Sequence, residues 1–327
     1  MNNFISNLEK GELHVHLNGL ISTTTIQNIL IEESIEIPKS FNLKSDLLIE
    51  KPMDSLNDYL KPWEVLRLIP TKRTSLRIMM LNAFENLKQQ NIKFVEIRNS
   101  IIYLSFLNNI SIELALQWFI EEMAYASDKY QIKAGLIMTI SRGDYCSDNF
   151  NALIKAYEVI GKPSSIIGLD LAGNEEIELS NGISSLFENA KDKYGFKITI
   201  HAGETGNIDN IYKAIDLFGA DRIGHGTAAG KDVETMSYIK EKNVCIEVCP
   251  ISNRLTGAVK EKDYHPLIEF IKHDVPFVIC SDNPAIHSKT INDDYLSFYD
   301  ECKRKDILEN MFNLQKKYTF LKEYNDN

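Results

Sequence analysis

The sequence predicts an α/β fold, a (β/α)8 TIM barrel, and three observations predict it. Eight short apolar runs recur along the chain, helix-length intervals separate them, and the reactive side chains gather where the runs end. The runs cover residues 12–17, 94–99, 133–140, 166–171, 197–200, 222–224, 244–248 and 276–280. Several are continuously apolar rather than alternating, which is the pattern of parallel strands buried on both faces. The intervals carry helical periodicity at 76–90, 112–130, 151–161, 183–195, 208–218, 233–242 and 266–273. In the first of these, Leu76, Met80, Ala83, Phe84 and Leu87 fall on one face.

One interval is out of scale. Residues 18–93 separate the first strand from the second, and Pro38, Pro52, Pro62 and Pro70 break them into short helical pieces. Connections that follow barrel strands sit on the catalytic face, so this insert is expected to form a wall or lid. The tail, 292–327, is charged and helical in pattern and is expected to pack on the barrel exterior. No repeat or linker divides the chain, so 1–327 reads as one domain.

Composition limits the function classes. The chain has 327 residues, 44% hydrophobic and 25% charged, with a net charge of −10. That balance argues against a general nucleic-acid surface, which needs a basic face, but leaves room for a small anion held by local cations. No apolar run approaches the roughly 20 residues that span a bilayer. The first ten residues lack a secretory pattern, and the five cysteines have no framework spacing. Cys245 and Cys249, inside a strand-like run, read as structural thiols. A cytoplasmic location is expected.

The chemistry begins in the first strand with His14-Val15-His16, where a period of two puts both imidazoles on one face. Taken alone, the pair reads equally as half a metal site or as two satisfied core histidines. Further polar residues end later strands: Asp170 to Glu175 after the fourth, His201-Ala202-Gly203-Glu204 after the fifth, and Gly224-His225-Gly226 at the sixth. The seventh runs into Cys249-Pro250-Ile251-Ser252-Asn253 and the eighth into Ser281-Asp282-Asn283-Pro284. Their common position at strand ends is where catalytic residues of such a barrel belong.

This ordered set, H-x-H, H-A-G-E, G-H-G, C-P-x-S-N and S-D-x-P, resembles the adenosine deaminase family within the amidohydrolase superfamily, from His14 to Pro284. The resemblance implies one zinc ion per chain, held by His14, His16, His201 and Asp282, a donor set that suits zinc on chemical grounds. It implies that Glu204 protonates purine N1, that His225 orients the attacking water, and that Asp282 accepts that water's proton. It also implies substrate contacts at His16, Asn18, Gly173 and Asn283. The activity implied is hydrolytic deamination of a 6-aminopurine nucleoside or its 5′-monophosphate. An adenine or modified-adenosine deaminase and a catalytically silent nucleotide-binding module are the rival readings. A small-molecule purine is the expected partner, with no nucleic-acid polymer and no membrane; oligomeric state is not read.

Two departures bear on substrate. Asn18 makes the first motif H-L-N-G, the form of the branch acting on AMP and N6-substituted AMP, and asparagine can donate to a phosphate where aspartate would repel it. Asn283 stands where the family has a second aspartate, and its NH2 is expected to donate to purine N7. Arg67 and Arg98 are the expected phosphate contacts. Lys72, Arg73 and Arg77 read as a solvated helix face. The nucleotide branch has another arginine after the second strand, where this chain reads Asn99-Ser100-Ile101-Ile102.

Overall fold

In the computed structural model, which describes residues 1–179 and 182–324, the apolar runs form one eight-stranded parallel sheet. The strands are β1 (Lys10–His16), β2 (Ile92–Asn99), β3 (Lys133–Ser141), β4 (Ile166–Ala172), β5 (Lys197–Ala202), β6 (Arg222–His225), β7 (Cys245–Val248) and β8 (Phe277–Ile279). Each pairs with the next in chain order, always parallel. The ring closes through a bridge between Val15 of β1 and Asp282, just past β8. There His16 N donates to Asp282 O at 3.1 Å and Asp282 N donates to His14 O at 2.8 Å. The (β/α)8 expectation holds, with strand ends moved by a residue or two.

The helices are α1 (Asn2–Asn7), α2 (Leu17–Leu20), α3 (Thr23–Glu32), α4 (Leu56–Tyr59), α5 (Trp63–Leu66), α6 (Arg73–Gln89), α7 (Ile101–Asn108) and α8 (Ile112–Tyr130). They continue with α9 (Cys146–Val159), α10 (Ile183–Tyr194), α11 (Asp209–Asp216), α12 (Val233–Glu241), α13 (Pro250–Leu255), α14 (Leu267–Lys272), α15 (Ile291–Cys302) and α16 (Lys305–Tyr318). Residues 18–93 therefore fold as short helices followed by α6, the return helix to β2. Caps explain several starts: Ser22, Ser55 and Ser111 each accept from a backbone N–H three residues on. Helices α7 and α13 lie outside the sequence expectation. The run Ile101-Ile102-Tyr103-Leu104-Ser105-Phe106-Leu107 is apolar on nearly every side, so no period of 3.6 stands out.

The tail does more than pack on the exterior. The Gln315 side chain of α16 bridges the foot of the β1–β8 seam, Oε1 accepting from Gly11 N at 2.8 Å and Nε2 donating to Ile279 O at 3.1 Å. The chain then turns under the barrel, where Thr319 Oγ1 and Phe320 N each donate to Glu96 at 2.5 Å. The Phe320 ring lies 3.5 Å from the Arg222 guanidinium. Glu96, Arg98, Asp170, Thr199, Arg222 and Glu247 point into the barrel and are all 0% exposed. The layer beneath the catalytic face is thus ionic rather than aliphatic. Among the described residues no helix is long and apolar enough to cross a membrane.

Candidate active site

The alternation of β1 turns His14 and His16 to the same face, and buried carboxylates set the tautomers of His14 and His201. His14 Nδ1 lies 2.8 Å from Glu247 Oε2, and His201 Nδ1 lies 2.9 Å from Asp170 Oδ1. An ionised carboxylate only accepts, so each ring carries its proton on Nδ1 and presents a lone pair at Nε2. His14 Nε2 is buried and has no hydrogen-bond partner. Asp282 Oδ1 lies 3.6 Å from that atom and 3.5 Å from His16 Nε2. The ligating atoms of His14, His16 and Asp282 all fall within 4.8 Å of one another, as do those of His14, His201 and His225.

His225 is wired the other way. Its backbone is left-handed, φ 66°, and the Asn253 amide nitrogen stands 3.0 Å from Nδ1. With that amide donating, the ring proton sits on Nε2, which points toward Glu204 Oε2 at 3.8 Å. In that tautomer Nε2 offers a hydrogen-bond donor to the cavity. Asp282 is also left-handed, φ 60°, and Ser252 donates to its Oδ2 at 2.6 Å. Burial alone would raise the Asp282 pKa, but the facing His14, His225 and His16 outweigh it and hold the group below its ordinary value. Burial brings His16 down to about 4.

The residues present fit a divalent cation. Arg98 pairs with Glu247 and, at 3.3 Å, with Asp170; Arg222 pairs with Glu96 and, at 2.7 Å, with Glu247. Two guanidinium groups against three carboxylates leave one uncompensated negative charge in the barrel, and Asp282 adds another. An ion among His14, His16, His201 and Asp282 would balance both and occupy the orphaned Nε2 of His14.

Above this floor opens a cavity of about 380 Å³, bordered by His16, Asn18, Gly173, His201, Glu204, His225, Asp282 and Asn283 and walled by the insert and α7. Three expected contacts are changed by the structure. Arg98 touches the cavity floor, but it is fully buried and its two terminal nitrogens bond to Glu247, Asp170 and Thr199, which holds the guanidinium in the barrel interior; its Nε–H has no partner. Asn283 directs its NH2 at Asp282 Oδ1, 2.7 Å, and Tyr59 Oη, 3.3 Å, because carboxylate and phenol are the acceptors in reach. Its Oδ1 is turned toward Gly19. Asn18 donates to the Leu66 carbonyl at 2.6 Å, tying the start of the insert to the end of α5. Arg67 is exposed at the cavity rim. The side chains of Arg73 and Arg77 are exposed, as a solvated helix face should be, but they pair with Glu121 and with the buried Glu122 of α8.

Three further groups shape the site. Arg142 NH2 donates to His201 O at 2.7 Å and NH1 to Gly173 O at 3.2 Å, joining two loops of the site. Tyr59, from the insert, and His287, from the segment after β8, are both buried beside Asp282. No spacing in the sequence links them; only the folded insert brings them together.

A family model described as "Adenosine deaminase" matches residues 9–307. An adenosine deaminase of Clostridium botulinum is 33% identical over 287 residues, covering 87% of this chain and 85% of the relative. That of Clostridium kluyveri is 30% identical over 311 residues, 94% of this chain and 88% of the relative. Among solved structures, the N6-mAMP deaminase of Arabidopsis superposes with a TM-score of 0.82 at 22% identity, covering 97% and 95% of the two chains. An adenine deaminase from Arthrobacter aurescens gives 0.83 at 20% identity, covering 96% and 97%.

Proposed function

The chain belongs to the adenosine deaminase family, and on that premise we propose that it is a zinc-dependent deaminase of a 6-aminopurine nucleoside or 5′-monophosphate, releasing ammonia and the inosine counterpart. The observation that carries the reading is the opposed wiring of the histidines. His14 and His201 present lone pairs at Nε2, that of His14 3.6 Å from Asp282, while His225 presents a proton. Hydrolytic deamination needs both features, a cation to activate water and a donor to steady the attacking oxygen.

His14, His16, His201 and Asp282 would hold the ion, whose contribution when bound is to make water nucleophilic near neutral pH. Asp282 takes a proton from the attacking water and delivers it to the leaving amine. Glu204, facing the cavity, carries the proton that purine N1 needs before C6 can be attacked. His225 Nε2–H holds the developing charge on the oxygen. Gly173, with φ 94°, brings its backbone against the base, and the insert shields the reaction from bulk water.

Relatives differ on the substrate. The relatives at 30–33% identity are adenosine deaminases, while solved neighbours at 21–22% identity include an N6-mAMP deaminase and a complex with IMP. Arg67 is the cation placed for a 5′-phosphate, and it shares the rim with Glu64, which opposes one. A cytoplasmic location belongs to the same proposal and is supported by five unpaired cysteines.

The test is a panel of adenosine, deoxyadenosine, AMP, dAMP, N6-methyl-AMP and adenine with zinc-loaded protein, read by ammonia release. Turnover of a nucleoside or nucleotide is expected. Silence on all six would overturn the proposal, and turnover of adenine alone would move it to the rival deaminase.

A further inference from the structure

Tyr59 ends α4, in the middle of the insert after β1, yet its phenol oxygen lies among four polar atoms from the segments after β7 and β8. His287 Nε2 is 2.8 Å away, Asp282 Oδ2 and Asn283 Nδ2 are each 3.3 Å away, and Ser252 Oγ is 3.4 Å away. Tyr59 is 3% exposed and His287 2%. The chemistry proposed above uses neither residue.

Counting donors resolves the arrangement. A phenol gives one proton and receives two. The Asn283 amide nitrogen only donates, and an ionised Asp282 only accepts. The buried His287 ring, brought down to about 4 chiefly by desolvation, is neutral near pH 7 and can do either through Nε2. One pattern uses each of these contacts: His287 and Asn283 donate to the phenol oxygen, and the phenol donates to Asp282 Oδ2. That carboxylate oxygen then receives Tyr59 and Ser252 together, which leaves Oδ1 turned to His14 and His16. Backbone bonds tie the insert to the same loop, Ile49 N to Ile286 O at 2.7 Å and Ala285 N to Gly19 O at 2.8 Å.

We propose that Tyr59 is a positioning residue for Asp282, itself held by His287, so that seating the insert and setting the Asp282 carboxylate are one event. The proposal rests on the reading of Asp282 as a metal ligand and proton acceptor. His287 acts at one remove, by fixing which way the phenol points its proton. A lid that only covered the site would need no polar atom there, and burying an unmatched phenol would be costly.

The experiment compares the wild type with Y59F, H287F, the double variant and H287Q, each loaded with cobalt in place of zinc. Two readouts are taken: the visible spectrum, which reports the ligand geometry, and kcat against KM on the best substrate. Y59F and H287F are each expected to shift the spectrum and to lower kcat by about tenfold, the scale of one hydrogen bond to a charged group. KM should change little, the double variant should match Y59F, and H287Q, which keeps an N–H donor, should recover most of the loss. An unchanged cobalt spectrum in Y59F overturns the positioning role whatever turnover does. So does a double variant whose losses multiply, since independent residues act additively in free energy. If the wild type deaminates none of the purines, the functional reading fails, while the spectra still decide the role of Tyr59.

Discussion

Replacing Glu247 with glutamine keeps the shape of a fully buried side chain and removes one charge from the barrel interior. One carboxylate oxygen accepts from His14 Nδ1 at 2.8 Å and from Arg98; the other accepts from Arg222 Nε at 2.7 Å and Thr199 Oγ1 at 3.0 Å. Glutamine offers a carbonyl on one side and an NH2 on the other. Whichever way it turns, an N–H confronts an arginine N–H. Turned toward His14, it would also drive the ring proton onto Nε2 and block the lone pair a metal needs. Breaking a buried charge pair costs about 3–5 kcal/mol, a large share of the roughly 5–15 kcal/mol that holds a protein folded. Loss of the carboxylate behind a ligating histidine weakens metal affinity by about 10–100-fold. Urea unfolding of the metal-free variant and zinc titration against a competing chelator measure the two effects. E247Q unfolding within about 0.5 kcal/mol of wild type, the usual scatter of surface substitutions, and binding zinc as tightly, would refute the reasoning.

Four further outcomes are expected. Glu204→Gln should lower kcat by about 10²–10⁴-fold, the worth of a general acid, with zinc content unchanged; an active variant would remove Glu204 from the chemistry. Arg67→Gln should raise KM for AMP by about tenfold, one charge-assisted contact, and leave adenosine unaffected; equal effects on both would dissociate Arg67 from the phosphate. Gln315→Ala strands Gly11 N–H and Ile279 C=O, so urea unfolding should report a loss of about 2–4 kcal/mol; a loss under about 1 kcal/mol, one ordinary hydrogen bond, would mean that the seam relaxes around the gap. His265 is buried and held down to about 3 by desolvation and by Arg254. The unfolded ring takes its proton near 6.5, so between those values the unfolded chain binds the extra proton. Its contribution is therefore present above about pH 6.5 and lost as pH falls, at about 1.4 kcal/mol per unit. His265→Gln should flatten the slope of stability between about pH 4 and 6.5, and identical slopes in wild type and variant would contradict this.

The strands were legible because parallel strands buried on both faces are apolar without interruption, and the motif residues because they end those strands. His14, His16, His201 and Asp282 come together from that placement alone. What stayed hidden depends on side-chain direction. Arg98 ends a strand next to the cavity, which read as access to substrate, but the same period of two that turns it inward sets it against Asp170 and Glu247. Neither carboxylate is near it in sequence. Asn283 was legible as a hydrogen-bond donor and misleading as to its acceptor, because Tyr59 reaches the site only through the folded insert. Helix α7 was missed for want of a polar face.

The β1–β8 junction gives the barrel a beginning and an end, unlike its other pairings. At the catalytic mouth the two strands meet through the bridge at Asp282, and at the foot through the amide of Gln315. The candidate ligands straddle this junction, His14 and His16 on one side and Asp282 on the other. A cation gripped by all three works as a clasp between the first strand and the last, and it can close only after the intervening chain is in place. Contacts between such distant segments form late in folding. On the proposed ligand set, a chain that has stalled short of closure would hold His14, His16 and His201 without Asp282, so ion binding would favour the closed barrel.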